Sequence, residues 1–415
     1  MDQETLHNSM QKLTDVIVHD IFSPPVASRI YVYPSIAAYE VLASGSEEYK
    51  TLAGQLTDLK PIPSPKQENV SLPLASIKAF LTVGKALVFS ADMIAEFEEE
   101  LFNQIRKDGM NSKKFEASIA YGEEVAAHIL KWASTDMYKE SRTFSKYSIT
   151  DSPNKWKPTP PDYKDGIEPH WSKMRILVLD SADQYRPKPP TPFDMMEGSP
   201  FHEELMEVYE TGKRLNEERT EIAKFWDCNP YVSHHVGHAM LATKKITPGG
   251  HWIGITKIAS KKAEADMLES AHAYALVSIT LFDGFISCWD EKYNSLLVRP
   301  ETLINEYIDD EWVPLLQTPP FPEYTSGHSV ISGAASVMLT KLYGENFSFD
   351  DDTEMLYGLP MRSFTSFKQA ADEAAISRLY GGIHYRPAIE TGITQGRAVG
   401  KYLVENIKTN NNEID

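Results

Sequence analysis

Residues 263–289 read AEADMLESAHAYALVSITLFDGFISCW, and this run decides the fold. It is too long for a strand, contains no proline and repeats apolar side chains at helical intervals, so it predicts one long helix. Working outward, Phe201–Leu215, Thr220–Trp226, Ser329–Tyr343 and Phe367–Tyr380 follow the same pattern, the last stopping at Gly381-Gly382. Toward the N-terminus, Leu13–Phe22 is helical and Ser23-Pro24-Pro25 should end it. Ile30–Leu42, Leu74–Met93, Ile94–Ile105 and Phe115–Trp132 are patterned as amphipathic helices, with a polar connector at Lys60–Gln67. Strand signals are few, and there is no internal repeat. The expected class is all-α, in one or two helical bundles.

Ser141–Pro200 breaks the pattern. It is dense in proline yet holds Trp156, Trp171, Tyr163, Tyr185 and Phe193. Disordered segments are usually poor in aromatics, so an ordered loop is expected rather than a linker. The chain then divides into helices over 1–140, this loop over 141–200, and a helical core over 201–415, acting as one compact unit.

The bulk numbers narrow the function. The 415 residues are 42% hydrophobic and 24% charged, with a net charge of -18. So acidic a surface argues against nucleic acid or an anionic membrane as partner, and makes any local cluster of cations informative. No run of apolar residues is expected to span a bilayer. Cys228 and Cys288 are read as two isolated thiols. Met1–Ser9 is polar and lacks a leader's apolar stretch, so the expectation is a cytoplasmic protein or one whose export signal was removed.

Three segments in the last third gather cations and histidines. Lys292 and Arg299 lie seven positions apart, which on a helix places both on one face before Pro300 ends it. Two like charges on one face repel unless an anion sits between them. Thr325-Ser326-Gly327-His328 stands directly before an apolar helix. Thr325 or Ser326 is a natural N-cap, and a helix start offers free N–H groups to an anion. Gly327 permits close backbone approach, and His328 can exchange a proton beside the anion. Ser377-Arg378 precedes Gly381-Gly382 and His384. Arg378 supplies a fork for oxyanion oxygens, and a histidine nitrogen can attack phosphorus or coordinate vanadium. Together the segments predict a pocket for a tetrahedral oxyanion, phosphate or vanadate.

In this order, the segments Lys292–Pro300, Thr325–His328 and Ser377–His384 resemble the three signatures of the type 2 phosphatidic acid phosphatase and vanadium-dependent haloperoxidase superfamily. Trp289, Pro320-Phe321-Pro322, Pro158-Thr159-Pro160-Pro161, Glu168-Pro169-His170-Trp171, Arg219–Trp226 and Pro248–Trp252 are similar to the haloperoxidase branch. The resemblance implies a helical-bundle fold and a vanadate cofactor bonded to His384, with phosphate able to occupy the same site. It further implies that Lys292, Arg299 and Arg378 neutralise the vanadate oxygens and that Ser326 and the Gly327 N–H bond to them. His328 would act as general acid–base, and Phe321 and Trp289 would line the halide side. The substrates implied are hydrogen peroxide, a halide and a small organic acceptor, and similar bacterial enzymes are often exported. A homo-oligomer is left open. Two alternatives also stay open: an acid phosphatase using His384 as nucleophile, and an oxyanion-binding protein without turnover.

Two positions depart from the pattern. Thr325 stands where a proline is usual. Ala388, four after His384, stands where an aspartate usually orients the histidine, so Glu390 or a backbone carbonyl is expected to substitute. His234, His235 and His238 are close enough to suggest a metal, without a completing ligand pattern. His251, next to Trp252, is read as packing or as a supporting residue behind the pocket, and the acidic runs Glu98–Glu100 and Asp350–Asp352 as solvated faces or caps.

Overall fold

Asp266 starts the long central helix with a capping box, its side chain accepting from the Glu269 amide while the Glu269 side chain accepts from its own. In the computed structural model, which describes residues 1–236 and 239–410 and not the side chains of 234–242, the helices run in chain order. They are α1 (Gln3–His19), α2 (Pro24–Ala43), α3 (Leu72–Leu87), α4 (Ala91–Lys107), α5 (Ser112–Ala133), α6 (Tyr138–Ser141) and α7 (Pro200–Lys213). There follow α8 (Glu217–Phe225), α9 (Pro248–Lys262), α10 (Met267–Ser295), α11 (Pro300–Tyr307), α12 (Gly327–Tyr343), α13 (Phe367–Tyr380) and α14 (Arg386–Asn406). Two short antiparallel hairpins complete the described chain, β1 (Tyr231–Val236) with β2 (Ala239–Lys244) and β3 (Phe349–Asp351) with β4 (Arg362–Phe364).

Helix α10 is the axle. It packs on α2 from the N-terminal half, which in turn holds α3 and α5, and on α12 and α14 from the C-terminal half. One hydrophobic core therefore runs from Leu6 to Ile407. By length and composition α10 could cross a membrane, contrary to the expectation that no run could, but 94% of its apolar stretch is buried inside the protein.

The all-α expectation holds, with local corrections. Pro24 and Pro25 do not end α1, which stops at His19 before a left-handed Ile21 (φ 56°); they begin α2, where proline's missing N–H costs nothing. The long helix starts after Asp266 rather than at Ala263, because Glu264 turns left-handed (φ 55°) at the end of α9. Lys292 and Arg299 do not share a helix: α10 ends at a left-handed Leu296, and Arg299 is the residue before Pro300 of α11. The hairpins and α9, α11 and α14 were not anticipated. Two acidic runs are not solvated throughout. Glu98 is buried and takes Lys78 at 2.6 Å and Lys85 at 2.7 Å. Asp351 is buried against His251.

The proline-rich stretch is ordered, and its anchors lie on α10 and the turn before α12. The buried Asp283 carboxylate of α10 accepts three amides, from Leu177 (2.8 Å), Val178 (2.8 Å) and Leu179 (3.0 Å). The Ile167 carbonyl accepts from Trp289 Nε1 and the Tyr293 hydroxyl, and the Tyr324 hydroxyl donates to the Lys188 carbonyl. These bonds bring the loop over the end of the bundle that carries the three signature segments. Replacing one acceptor oxygen of Asp283 by an amide donor leaves a buried N–H facing N–H groups. Asp283→Asn should therefore cost about 1–3 kcal/mol. Chemical denaturation would read this as a lower midpoint at unchanged slope, and an unchanged midpoint would contradict it.

Candidate active site

A cavity of about 320 Å³ opens at that end, lined by Gly327, His328, Arg378, His384, Trp289 and Phe321 among others. Lys292, Arg299 and Ser326 stand directly behind its wall, fully buried. The three segments that lie apart in sequence thus converge on one place.

Each arrives by a different local device. Lys292 sits in the last turn of α10, and Nζ donates to the carbonyls of Pro322 (2.9 Å) and Glu323 (3.0 Å). Arg299 reaches in from the α10–α11 turn; Nε donates to the Phe321 carbonyl (3.0 Å) and Nη1 to the Ile383 carbonyl (2.8 Å). Both cations lie over the Phe321 ring, each 5.0 Å from its centroid. Ser326 is the N-cap of α12, its Oγ accepting from the Ser329 amide, which aims the first N–H groups of α12 at the cavity. Arg378, in the last turn of α13, donates from Nη2 to the Trp226 carbonyl (2.8 Å). Gly382, at φ 77°, reverses the chain so that His384 faces Arg299.

His384 has a defined tautomer. Nδ1 donates to Glu323 Oε1 at 2.7 Å, and the Tyr385 amide donates to the same oxygen at 2.9 Å. Nε2 therefore keeps its lone pair, which accepts from Arg299 Nη1 at 3.1 Å. Burial, then the charges of Arg299, Lys292 and Arg378, hold the His384 imidazole well below the ordinary histidine range, so the contact with Glu323 is a hydrogen bond to a neutral ring. His328 is also held well below that range, by burial and by Arg378.

Glu323 is the residue the sequence reading missed. It replaces the expected aspartate at 388, and neither Glu390 nor a carbonyl does so: Glu390 is exposed beside Arg386. The Ala388 carbonyl instead accepts from the Ser326 amide. The clue was a lone acid in Phe321-Pro322-Glu323-Tyr324, a turn otherwise apolar and placed among buried cations. Of the three histidines considered for a metal, His238 and the side chains of His234 and His235 lie outside the described residues.

The donor set fits a tetrahedral oxyanion. Arg299 Nη2 and His328 Nε2 are buried with no hydrogen-bond partner. Lys292 and Arg299 lie beside Glu323 while Arg378 lies nearer Asp227, and burial drives Lys292 down to about 7, Arg299 to about 10, and Glu323 up to about 8. An added anion would repay the desolvation of the cations.

A family model described as the VCPO second helical-bundle domain matches residues 272–413. A bacterial vanadium-dependent iodoperoxidase of known structure is 51% identical, with 99% of this chain and 97% of that one covered at a TM-score of 0.93. The chain belongs to the vanadium-dependent haloperoxidase family. Bacterial vanadium-dependent chloroperoxidase structures share the fold of this family member at 16% identity, with TM-scores of 0.71 (holo form) and 0.69 (apo form). No curated protein matches the chain. The haloperoxidase branch read from the flanking segments is thereby upheld, and neither the phosphatase nor the turnover-free alternative is favoured.

An anion beside Lys292 and Glu323 favours the protonated form of both. Between the free and bound pKa values, binding must take up protons, so affinity falls as pH rises above 7, by about tenfold per unit for each proton taken up. Sulfate, which does not titrate there, is the clean probe. Calorimetry at pH 8 in two buffers of different ionisation enthalpy should show proton uptake, and equal apparent enthalpies would contradict it.

Proposed function

We propose that this protein oxidises iodide with hydrogen peroxide at a vanadate held on His384 Nε2. The observation that carries the reading is the unprotonated His384 nitrogen beside the buried Arg299, Lys292 and Arg378, with Arg299 Nη2 left without a hydrogen-bond partner. The iodoperoxidase relative suggests the halide.

In this reading His384 Nε2 would hold the vanadate, and Glu323 holds the ring and its tautomer. Lys292, Arg299 and Arg378 balance the oxyanion charge, with the Ser326 hydroxyl and the Gly327 N–H as further donors. When bound, vanadate supplies a Lewis acid that activates peroxide toward halide. His328 Nε2, unpartnered and held neutral by its surroundings, takes the proton that peroxide gives up on entering the pocket. Trp289 and Phe321, with ring centroids 5.0 Å apart, form a dry wall where a large polarisable halide can sit. The organic acceptor would react outside this wall with the oxidised halogen.

Vanadate-reconstituted protein should oxidise iodide when peroxide is added, and His384→Ala should lose at least about two orders of magnitude in rate. Phosphomonoester hydrolysis blocked by vanadate, with no halide oxidation, would replace the reading with phosphoryl transfer. Glu323→Ala frees the His384 ring, which should weaken vanadate binding about 10–100-fold. Equal affinity measured by equilibrium dialysis would contradict the role given to Glu323.

A further inference from the structure

Behind the Arg378 side of the cavity lies a cluster that the reaction does not use. Cys228 follows α8, His251 lies in the first turn of α9, and Asp351 and Glu354 come from β3 and the turn after it. All four are buried. His251 Nδ1 is 3.4 Å from Cys228 Sγ and 3.1 Å from Glu354 Oε1, and Sγ is 3.9 Å from that same oxygen. The other ring nitrogen, Nε2, is 2.8 Å from Asp351 Oδ2. The ring is also stacked on Trp226, centroids 4.5 Å apart.

We propose that Cys228, His251 and Glu354 form a second, cationic metal site, for zinc or a similar divalent transition ion. Three observations point there. First, the three donor separations, 3.1, 3.4 and 3.9 Å, bracket the tetrahedral edges of roughly 3.3–3.6 Å that bonds of about 2.3 Å to sulfur and 2.0–2.2 Å to nitrogen and oxygen give. Second, Asp351 accepts from the far nitrogen of His251, the arrangement that fixes a metal-binding histidine and aims its other lone pair. Third, Glu354 Oε2 is buried without a hydrogen-bond partner, so hydrogen bonding within the cluster does not account for its carboxylate.

The set is three protein ligands with a soft thiolate, which suits zinc, cobalt or iron rather than calcium or magnesium. On binding, the Cys228 thiol and the His251 Nδ1–H each give a proton to solvent, and bonds form from the metal to sulfur, nitrogen and oxygen. No electron moves. Burial and the two carboxylates shape the starting point: the thiol is pushed up, and His251 sits well above its usual range. Because Cys228 also lines the large cavity, an ion there ties α8, α9 and the β3 hairpin together at the wall of the oxidising pocket. It also converts an oxidisable thiol into a metal-bound thiolate.

Cobalt(II) is the probe, added to the full chain after chelator treatment. The expected result is one cobalt per chain, with the visible d–d bands of tetrahedral coordination and a near-ultraviolet sulfur-to-cobalt band. Both should vanish in Cys228→Ala and persist in Cys288→Ala. Should Cys228→Ala not fold, by near-ultraviolet circular dichroism, Glu354→Gln gives the second reading, with at least about tenfold weaker binding. Zinc should raise the melting temperature of the wild type and of Cys288→Ala, and not that of Cys228→Ala. Folded wild type without the thiolate band, or a band that survives Cys228→Ala, would overturn the site.

Discussion

Lys292, Arg299 and Arg378 are cations buried beside a cavity wall, with the Glu323 carboxyl group beside the first two. Charges removed from water are costly unless paired, so the surrounding chain is organised to make their burial tolerable. Backbone carbonyls of Phe321, Pro322, Glu323, Ile383 and Trp226 accept from them, and those carbonyls belong to turns held in place by other elements. The Phe321 ring sits against two of the cations. What the carbonyls leave over is a set of donors facing inward. That remainder is the proposed binding site, where positive charge is held within reach of an oxyanion.

The rest of the architecture serves this placement. Helix α10 carries Trp289 and Lys292 at its C-terminal end and binds the proline-rich loop through Asp283, so core and loop share one rigid support. Helix α12 points its N-terminus at the same spot, and its axis is buttressed by α14. Small residues permit that contact. A Cβ on Gly396 would lie 2.0 Å from the Val330 carbonyl oxygen, and one on Gly392 would meet Ser329 Cβ at 2.9 Å. The helix that presents Ser326 and Gly327 is thus held at close range by the one that follows His384.

Much of this was legible in the sequence. Helical periodicity over 263–289 and the neighbouring runs gave the class, because apolar spacing reports directly on burial. Ser326–His328 and Arg378–His384 came with local markers, an N-cap before an apolar helix and a Gly-Gly break after a helix end, while Trp289 and Phe321 were named only through the family resemblance. What stayed hidden depended on contacts between distant segments. Lys292 and Arg299 seemed to share a helix face, since spacing alone cannot reveal a left-handed turn at Leu296. Glu323 is not legible from sequence distance, which points to positions just after His384, because its bond joins residues on either side of α12 and α13. Asp351 and Glu98 looked like surface acids for the same reason: their partners, His251 and Lys78, are far away along the chain. The hairpins are too short to leave a clear alternating pattern.

The most direct test of the account is a crystal structure of the protein loaded with vanadate. The account predicts one vanadate per chain, bonded to His384 Nε2, with its oxygens on Lys292, Arg299, Arg378 and the start of α12, and with Arg299 Nη1 moved from the histidine nitrogen to an oxygen. Vanadate bonded to His328, or bound elsewhere while Arg299 still donates to His384, would contradict it.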